Sequence, residues 1–417
     1  MGTILNRGRD AGRARQALAA GIALPLATPL FHRLLDRIDR GLAHGSIEAI
    51  LPDGSARSLG GRGPGPFTIV ELRDWRALWR LATRGSAGWY ESWVAGEWVA
   101  SDLVALFTLF VRNRETLGGA GRAHGWTRRL LRRGHHARRN DLAGARQNIE
   151  YHYDLGNDFY RAWLDPGMTY SSARFATPDE SLEAAQARKL QAILDRTGTR
   201  PGDTILEIGC GWGSFAELAA RAGRRVHCLT LSLEQARHVE ARMAAAGLDG
   251  VTVEVADYRS VTGSYDAVAS IEMVEAVGQE YWPEYLATIA RVLRPGGRAA
   301  LQYIAIDDAI FEAYAANVDF IQTYVFPGGM LLSERRFAAI AAQHGLSWKD
   351  RDGFGSDYAE TCRRWRAAFD RAETEGRLPG DLGRDFRDLW RYYLVYCEGG
   401  FLGGGIDVAQ VTMIKGE

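Results

Sequence analysis

The chain has 417 residues, 46% hydrophobic and 24% charged, with 51 lysines and arginines balancing 51 aspartates and glutamates. This is the composition of an ordinary globular protein of two or three domains, and a formal net charge of zero gives no support to nucleic-acid binding. The four cysteines, Cys210, Cys228, Cys362 and Cys397, form no C-x-x-C pair, which argues for thiols in a reducing compartment rather than a disulfide framework or a metal site.

At the N-terminus, arginines at positions 7, 9, 13 and 15 precede an apolar run from Ala17 to Leu30, the outline of a signal peptide. Pro25 and Pro29 interrupt that run, and Phe31-His32-Arg33-Leu34-Leu35 continues it without a polar cleavage region. It is also shorter than the roughly 20 apolar residues of a membrane-spanning helix. A helix that packs on the protein or lies on a membrane is the alternative. Short helical and strand-like patterns then surround the joint Gly60-Gly61-Arg62-Gly63-Pro64-Gly65-Pro66 and predict a small α+β domain. It carries an aromatic stretch with Trp89, Tyr90, Trp93 and Trp98. From Arg112 to Arg146 ten arginines face only Glu115 and Asp141. Such a stretch is either a solvated linker or a surface for anionic phospholipid head groups, which attract each well-placed basic residue by about 1 kcal/mol.

Beyond Arg200 strands and helices alternate. Strands are predicted at Thr204–Ile208, Val226–Thr230, Val251–Ala256, Tyr265–Ser270 and Arg298–Ile304, with helices at Ser214–Ala222, Leu233–Ala246 and Tyr281–Leu293. Alternation at this spacing predicts a parallel sheet covered by helices, with a ligand at the carboxyl ends of the strands.

Glu207-Ile208-Gly209-Cys210-Gly211-Trp212-Gly213 ends the first of these strands. Its glycines permit a tight turn and close approach of a ligand to backbone. A nicotinamide fingerprint would read G-x-G-x-x-G, and here the third glycine comes one residue too soon. Glu207 can hold the cationic amino group of a methionine moiety, so the loop points to S-adenosylmethionine. The turn Leu293-Arg294-Pro295-Gly296-Gly297 before the later strand supports that reading. Thr230, Leu231, Ser232 and Gln235 close the second strand, where a ribose is expected, with Ser232 a helix N-cap candidate. Asp257, Tyr258 and Arg259 follow the third strand, where the acid is expected to reach the adenine amino group and the aromatic to cover its face.

Several motifs now mark a resemblance. Tyr151–Tyr160, Leu164–Ala173, Gly209–Gly213, Thr230–Ser232, Met273–Gly278, Tyr324–Gly329, Gly355–Tyr358 and Tyr392–Phe401 together resemble the cyclopropane-fatty-acyl-phospholipid synthases and the related mycolic acid cyclopropane synthases. The resemblance implies a Rossmann-like class I methyltransferase sheet with helical insertions after Ile304 as residues 148–417. Residues 1–147 would form an N-terminal lipid-docking domain ending in the arginine-rich linker. It also implies a cytoplasmic enzyme held at the inner face of the membrane, acting as a homodimer on unsaturated phospholipid.

The implied reaction adds a carbon from S-adenosylmethionine to a cis double bond and closes a cyclopropane ring by loss of a proton. Loss of a proton elsewhere would leave a methylene-branched chain, which a partner reductase would convert to a methyl branch. By resemblance the base is a bound bicarbonate, held by Glu275, Tyr358 and a backbone group near Ile304. Two positions depart from the family pattern: Ser172 stands for a cysteine and Gln302 for a histidine. Both retain hydrogen-bonding capacity, but Gln302 cannot carry positive charge. Tyr170 and Ser171 fall in the cofactor-binding part of their motif. Cys397 matches a cysteine often given as catalytic, although a buried structural thiol would satisfy the same position. Glu272, three residues before Glu275, is expected to be a solvated or supporting carboxylate. Methylation of a small molecule on nitrogen or oxygen, and lipid binding with a vestigial cofactor site, are the rival functions.

Overall fold

The computed structural model describes residues 28–118 and 155–417. The N-terminal apolar run up to residue 27, the arginines beyond residue 118 and the first four residues of the Tyr151–Tyr160 motif lie outside the described residues. The chain divides into two compact units, and they interleave in sequence. The first comprises Met1–Arg138, Ala309–Pro327 and Pro379–Ile406; the second comprises Arg139–Asp308, Gly328–Leu378 and Asp407–Glu417. A single cut at residue 147 does not describe this arrangement.

In the first unit, strands β1 (Ser46–Ile50), β2 (Ala56–Gly60), β3 (Phe67–Leu72) and β4 (Trp98–Ala100) form a sheet in the order β2-β1-β3-β4. β1 runs antiparallel to β2 and parallel to β3, and β3 antiparallel to β4. Trp98 is fully buried and stacks on Trp89 with ring centroids 4.1 Å apart. The distant helix Arg384–Leu402 belongs here because its small residues let it approach the helix Leu103–Arg112 closely. A Cβ at Gly399 would stand 2.6 Å from Phe107 Cβ, and one at Gly403 would stand 2.5 Å from Val111 Cβ. Tyr392 fills the space beside them, its ring 5.3 Å from Phe107 and 4.9 Å from Tyr90. The Tyr392–Phe401 motif supplies this packing in the first unit, and Cys397 sits within it.

The second unit is built on the expected Rossmann-like α/β sheet. β5 (Thr204–Ile208), β6 (Arg225–Thr230), β7 (Val251–Val255), β8 (Tyr265–Ile271), β9 (Leu293–Ile306), β10 (Leu346–Gly353) and β11 (Ile406–Lys415) are ordered β10-β11-β9-β8-β5-β6-β7. β7, β6, β5, β8 and β9 are parallel, while β10 and β11 pair antiparallel. β5 and β8 are nearly continuous apolar runs because strands in the middle of a covered parallel sheet are buried on both faces. The expected strands and helices appear within one or two residues of their predicted bounds, apart from β9, which extends back through the Leu293–Gly297 segment.

Strand order reverses between β5 and β8. To one side the chain continues to β6 and β7, to the other to β9, and in such sheets ligands bind at the carboxyl ends where the order switches. The glycine loop follows β5, Glu272 follows β8, and Gln302 lies in β9 opposite Ile271. Helix Leu182–Thr197, capped by Ser181 accepting from Ala184 N at 3.1 Å, covers this region and ends at Gly198 in the left-handed conformation.

Candidate active site

The loop after β5 turns on three glycines with positive φ: Gly209 (83°), Gly211 (52°) and Gly213 (85°). Side chains are excluded there for two different reasons. A Cβ at Gly209 would meet Met273 Cγ at 2.8 Å, whereas one at Gly211 would meet nothing within 4 Å. Cys210 and Trp212 are buried between the glycines, and Trp212 Nε1 donates to Asn157 Oδ1 at 2.7 Å.

Glu207, at the end of β5, is 3% exposed. Burial pushes its pKa up to about 8, against the lowering effect of a Cys228 thiol that donates to it at 3.5 Å and of nearby Lys189 and Arg242. A cationic group arriving at Glu207 would restore its charge. After β6, Thr230 Oγ1 donates to Gln235 Oε1 at 2.8 Å and accepts from Ser232 N at 3.1 Å. Ser232 caps the helix Leu233–Ala246 by accepting from Gln235 N, as expected, and Leu231 lies half-buried between them. Gln235 Nε2 is buried without a protein partner. An orphaned donor beside a strand end is what a ribose hydroxyl would satisfy. These features fit S-adenosylmethionine: Glu207 for its amino group, the glycine turn for close backbone approach, and Gln235 for its sugar.

Asp257, the acid after β7, is held by its neighbour Arg259. Its Oδ1 accepts from Arg259 N and Nε, and its Oδ2 from Arg259 Nη2, all within 2.9 Å. Arg259 in turn covers the rings of Tyr258, which is buried, and Tyr281.

A second cluster stands where β8 and β9 end. Glu272 has φ of 49°, left-handed backbone that disfavours a side chain other than glycine. Its N–H donates to Gln302 O at 2.8 Å, which fixes this backbone to β9. Its Oε1 accepts from Ser172 N at 2.9 Å and Gln302 Nε2 at 2.7 Å, and its Oε2 from Tyr358 OH at 2.6 Å. Gln302 Oε1 accepts from Gln410 Nε2 at 3.0 Å, which turns the Gln302 amide donors toward Glu272. Ser172 contributes its backbone N–H, while its hydroxyl donates to Ala173 O.

Glu275 lies in the short 3-10 turn Val274–Ala276. Its Oε1 accepts from Ile304 N, and its Oε2 is buried without a protein partner. Both carboxyls are surrounded by protein, in residues that as a whole are half-buried. Burial, then the neighbouring Glu272 carboxyl, pushes the Glu275 pKa up to about 8. Burial raises that of Glu272 too, opposed by Lys189 and the three donors. The donors favour the ionised form on Glu272, so near neutral pH Glu275 holds the proton of the pair.

Sequence reasoning missed Lys189 and underrated Glu272. Lys189 is fully buried, donates to Ser171 Oγ, and is lowered to about 8 by burial against the pull of Glu272, Asp165 and Glu207. The available signal was its spacing: Ala185, Lys189 and Ile193 fall on one helical face, and that face is core. Between the two clusters runs an aromatic wall. Trp212 lies 4.8 Å from Tyr160, Tyr160 5.5 Å from Tyr170, Tyr170 5.3 Å from Trp365, and Trp365 6.1 Å from Tyr358. The structure thus brings together Ser171, Ser172, Glu272, Glu275, Gln302 and Tyr358, whereas Cys397 belongs to the other compact unit.

Known proteins resemble this chain in sequence and fold. A family model described as mycolic acid cyclopropane synthetase matches residues 140–411. Tuberculostearic acid methyltransferase UfaA1 of Mycobacterium tuberculosis is 37% identical over 389 residues, 90% of this chain and 89% of its own. The cyclopropane-fatty-acyl-phospholipid synthase of Escherichia coli is 36% identical over 64% of this chain and 67% of its own. The crystal structure of mycolic acid cyclopropane synthase CmaA1 with SAH and CTAB superposes with a TM-score of 0.61 at 31% identity, covering 65% of this chain and 98% of that one. The glycine loop, the strand order and the Met273–Gly278 turn are therefore those of an S-adenosylmethionine-dependent methyltransferase, and the chain belongs to the mycolic acid cyclopropane synthetase family.

Proposed function

We propose that the enzyme methylates a carbon of the cis double bond in an unsaturated phospholipid acyl chain. The observation that carries this reading is the aromatic wall Tyr160–Tyr170–Trp365–Tyr358 ending on two buried carboxyls. An alkene is an uncharged, weak nucleophile, and its attack leaves a positive charge on carbon. Ring faces stabilise such a cation where water would capture it. A methyl acceptor on nitrogen or oxygen needs no such wall.

S-adenosylmethionine, when bound, supplies an electrophilic methyl group, with Glu207 and Gln235 the residues that would hold it. Once the alkene π pair has formed the new carbon–carbon bond, the neighbouring chain carbon is cationic, and Tyr170, backed by the fully buried Trp365, would present its ring to it. Loss of a proton from the new methyl lets its C–H electron pair close a cyclopropane ring. If a hydride first moves from the methylated carbon to the cationic one, the same proton loss gives a methylene branch on the open chain. A reductase acting as partner would convert that to a methyl branch. The branched outcome is favoured by the breadth of similarity: nine-tenths of the chain matches a protein named tuberculostearic acid methyltransferase, against 64% for the phospholipid cyclopropane synthase.

Incubation with unsaturated phospholipid vesicles and labelled S-adenosylmethionine tests the reading by mass spectrometry of the acyl chains. Chains heavier by one CH2 support it; unchanged chains overturn it. Olefinic protons in the NMR spectrum then separate methylene from ring.

Action on membrane lipid calls for a peripheral enzyme at the inner face of the membrane, expected as a homodimer with the first unit docked to lipid. No helix among the described residues is long and apolar enough to cross a membrane. Phe67 and Ile69 stand exposed at alternate positions of β3, in support of docking. Changing Arg128, Arg129, Arg132 and Arg133 to Ala is expected to weaken binding to anionic vesicles; undiminished binding would remove the arginine stretch from this role.

A further inference from the structure

We infer that the side chain of Glu272 is the base that removes the proton from the methylated acyl chain, taking the place that a bound bicarbonate would need. The inference rests on the functional reading above and concerns the second half of that reaction.

The residues expected to hold a bicarbonate do not fit one. Each donor in the cluster already serves a carboxylate of the chain: Ser172 N, Gln302 Nε2 and Tyr358 OH donate to Glu272, and Ile304 N donates to Glu275. A bicarbonate would add an anion beside two carboxyls, in surroundings where burial already disfavours charge. The position that could have carried a compensating positive charge is Gln302, a neutral amide committed to Gln410 on its oxygen and to Glu272 on its nitrogen.

Glu272 has what a base requires. It is held from three separate segments, so its orientation does not depend on substrate. It accepts three hydrogen bonds where a carboxylate offers about four lone-pair sites, which leaves one on Oε2. Tyr358, its partner at Oε2, begins the aromatic wall. Its left-handed backbone is a strained conformation secured by the Glu272 N–H to Gln302 O bond, and such strain persists where surrounding structure imposes it. In the step itself, a C–H bond of the new methyl breaks, its electron pair forms the ring bond or the methylene π bond, and the proton goes to Glu272 Oε2. Charge balances: cation and carboxylate become neutral product and carboxylic acid. No external reactant is consumed.

The test uses the full-length enzyme with S-adenosylmethionine and unsaturated phospholipid vesicles, in buffer freed of carbon dioxide and in buffer with added bicarbonate. Wild-type turnover is expected to be the same in both, and 13C-labelled bicarbonate to give no bound NMR signal. Glu272→Gln is expected to slow turnover by about 10²–10⁴-fold, the usual worth of a positioned base. Its affinity for S-adenosylhomocysteine should stay unchanged, which separates loss of a base from loss of structure. Glu272→Gly suits the positive φ and opens the space, so added bicarbonate or formate is expected to bind and restore part of its turnover. Wild-type turnover that requires bicarbonate, a bound bicarbonate signal in the wild type, or full turnover by Glu272→Gln would each overturn the assignment. A wild type that methylates no acyl chain in either buffer removes the functional reading, and the assignment with it.

Discussion

Glu272 and Glu275 are two carboxyls three residues apart with opposite surroundings. One accepts three hydrogen bonds; the other has Ile304 N and an oxygen with no protein partner. Glu275 is pushed up to about 8 from 4.5, so between those values the folded protein holds a proton that the unfolded chain has released. Its contribution to stability is therefore greatest at low pH and is lost as pH rises toward about 8. Glu275→Gln is expected to melt close to wild type near pH 5 and progressively above it toward pH 8.5, as measured by thermal unfolding. A difference independent of pH would remove the shifted Glu275 from the account. Gln302→Leu would leave Gln410 Nε2 without the Gln302 oxygen and Glu272 with one donor fewer; the expected cost is about 1–3 kcal/mol of stability by denaturant unfolding.

Among the elements, the glycines separate into those the backbone requires and those the packing requires. Gly209→Ala meets both demands at once, a positive φ and Met273 at 2.8 Å, whereas Gly211→Ala meets only the first. Left-handed backbone costs a non-glycine residue about 1–2 kcal/mol, so Gly211→Ala is expected to lose about that much and Gly209→Ala clearly more, in paired thermal melts. Gly399→Val would drive a branched side chain into Phe107 and the Thr108 backbone; overpacking of this kind costs about 1–3 kcal/mol, read as a lowered melting temperature. The same contact shows why the Tyr392–Phe401 motif read ambiguously. Its glycines and Cys397 sit on a helix whose partner lies almost three hundred residues earlier, and nothing local in the sequence distinguishes a packing motif from a catalytic one.

At the scale of the molecule, Lys189 ties the two clusters together electrostatically. It is the buried cation that Glu207 and Glu272 both feel. Lys189→Met is expected to raise the Glu207 pKa further above about 8, so that S-adenosylhomocysteine binding, followed by calorimetry between about pH 6 and 9, gains affinity only at higher pH than in the wild type. Unchanged pH dependence would show that Glu207 ionisation does not limit binding. The wild-type lysine, lowered to about 8 from 10.5, also adds a stability term that grows as pH rises between those values, opposite in sign to that of Glu275.

The sequence by itself determined the sheet, the glycine loop and the family. Alternating apolar runs, positive-φ turns and an acid at a strand end are local requirements, and each leaves its mark on a few consecutive residues. Glu207, Thr230, Ser232 and Gln235 could be placed because they follow directly from strand ends. Only the tertiary structure decided the contacts of Glu272, Lys189, Gln302 and Ser172, since these depend on groups brought from β9, β11 and the helix Gly355–Thr374. A carboxylate three residues from a recognised glutamate reads as solvated until the chain folds three donors around it. Burial then changes its chemistry, because a charge removed from water takes its character from whichever groups the fold has placed within hydrogen-bonding reach.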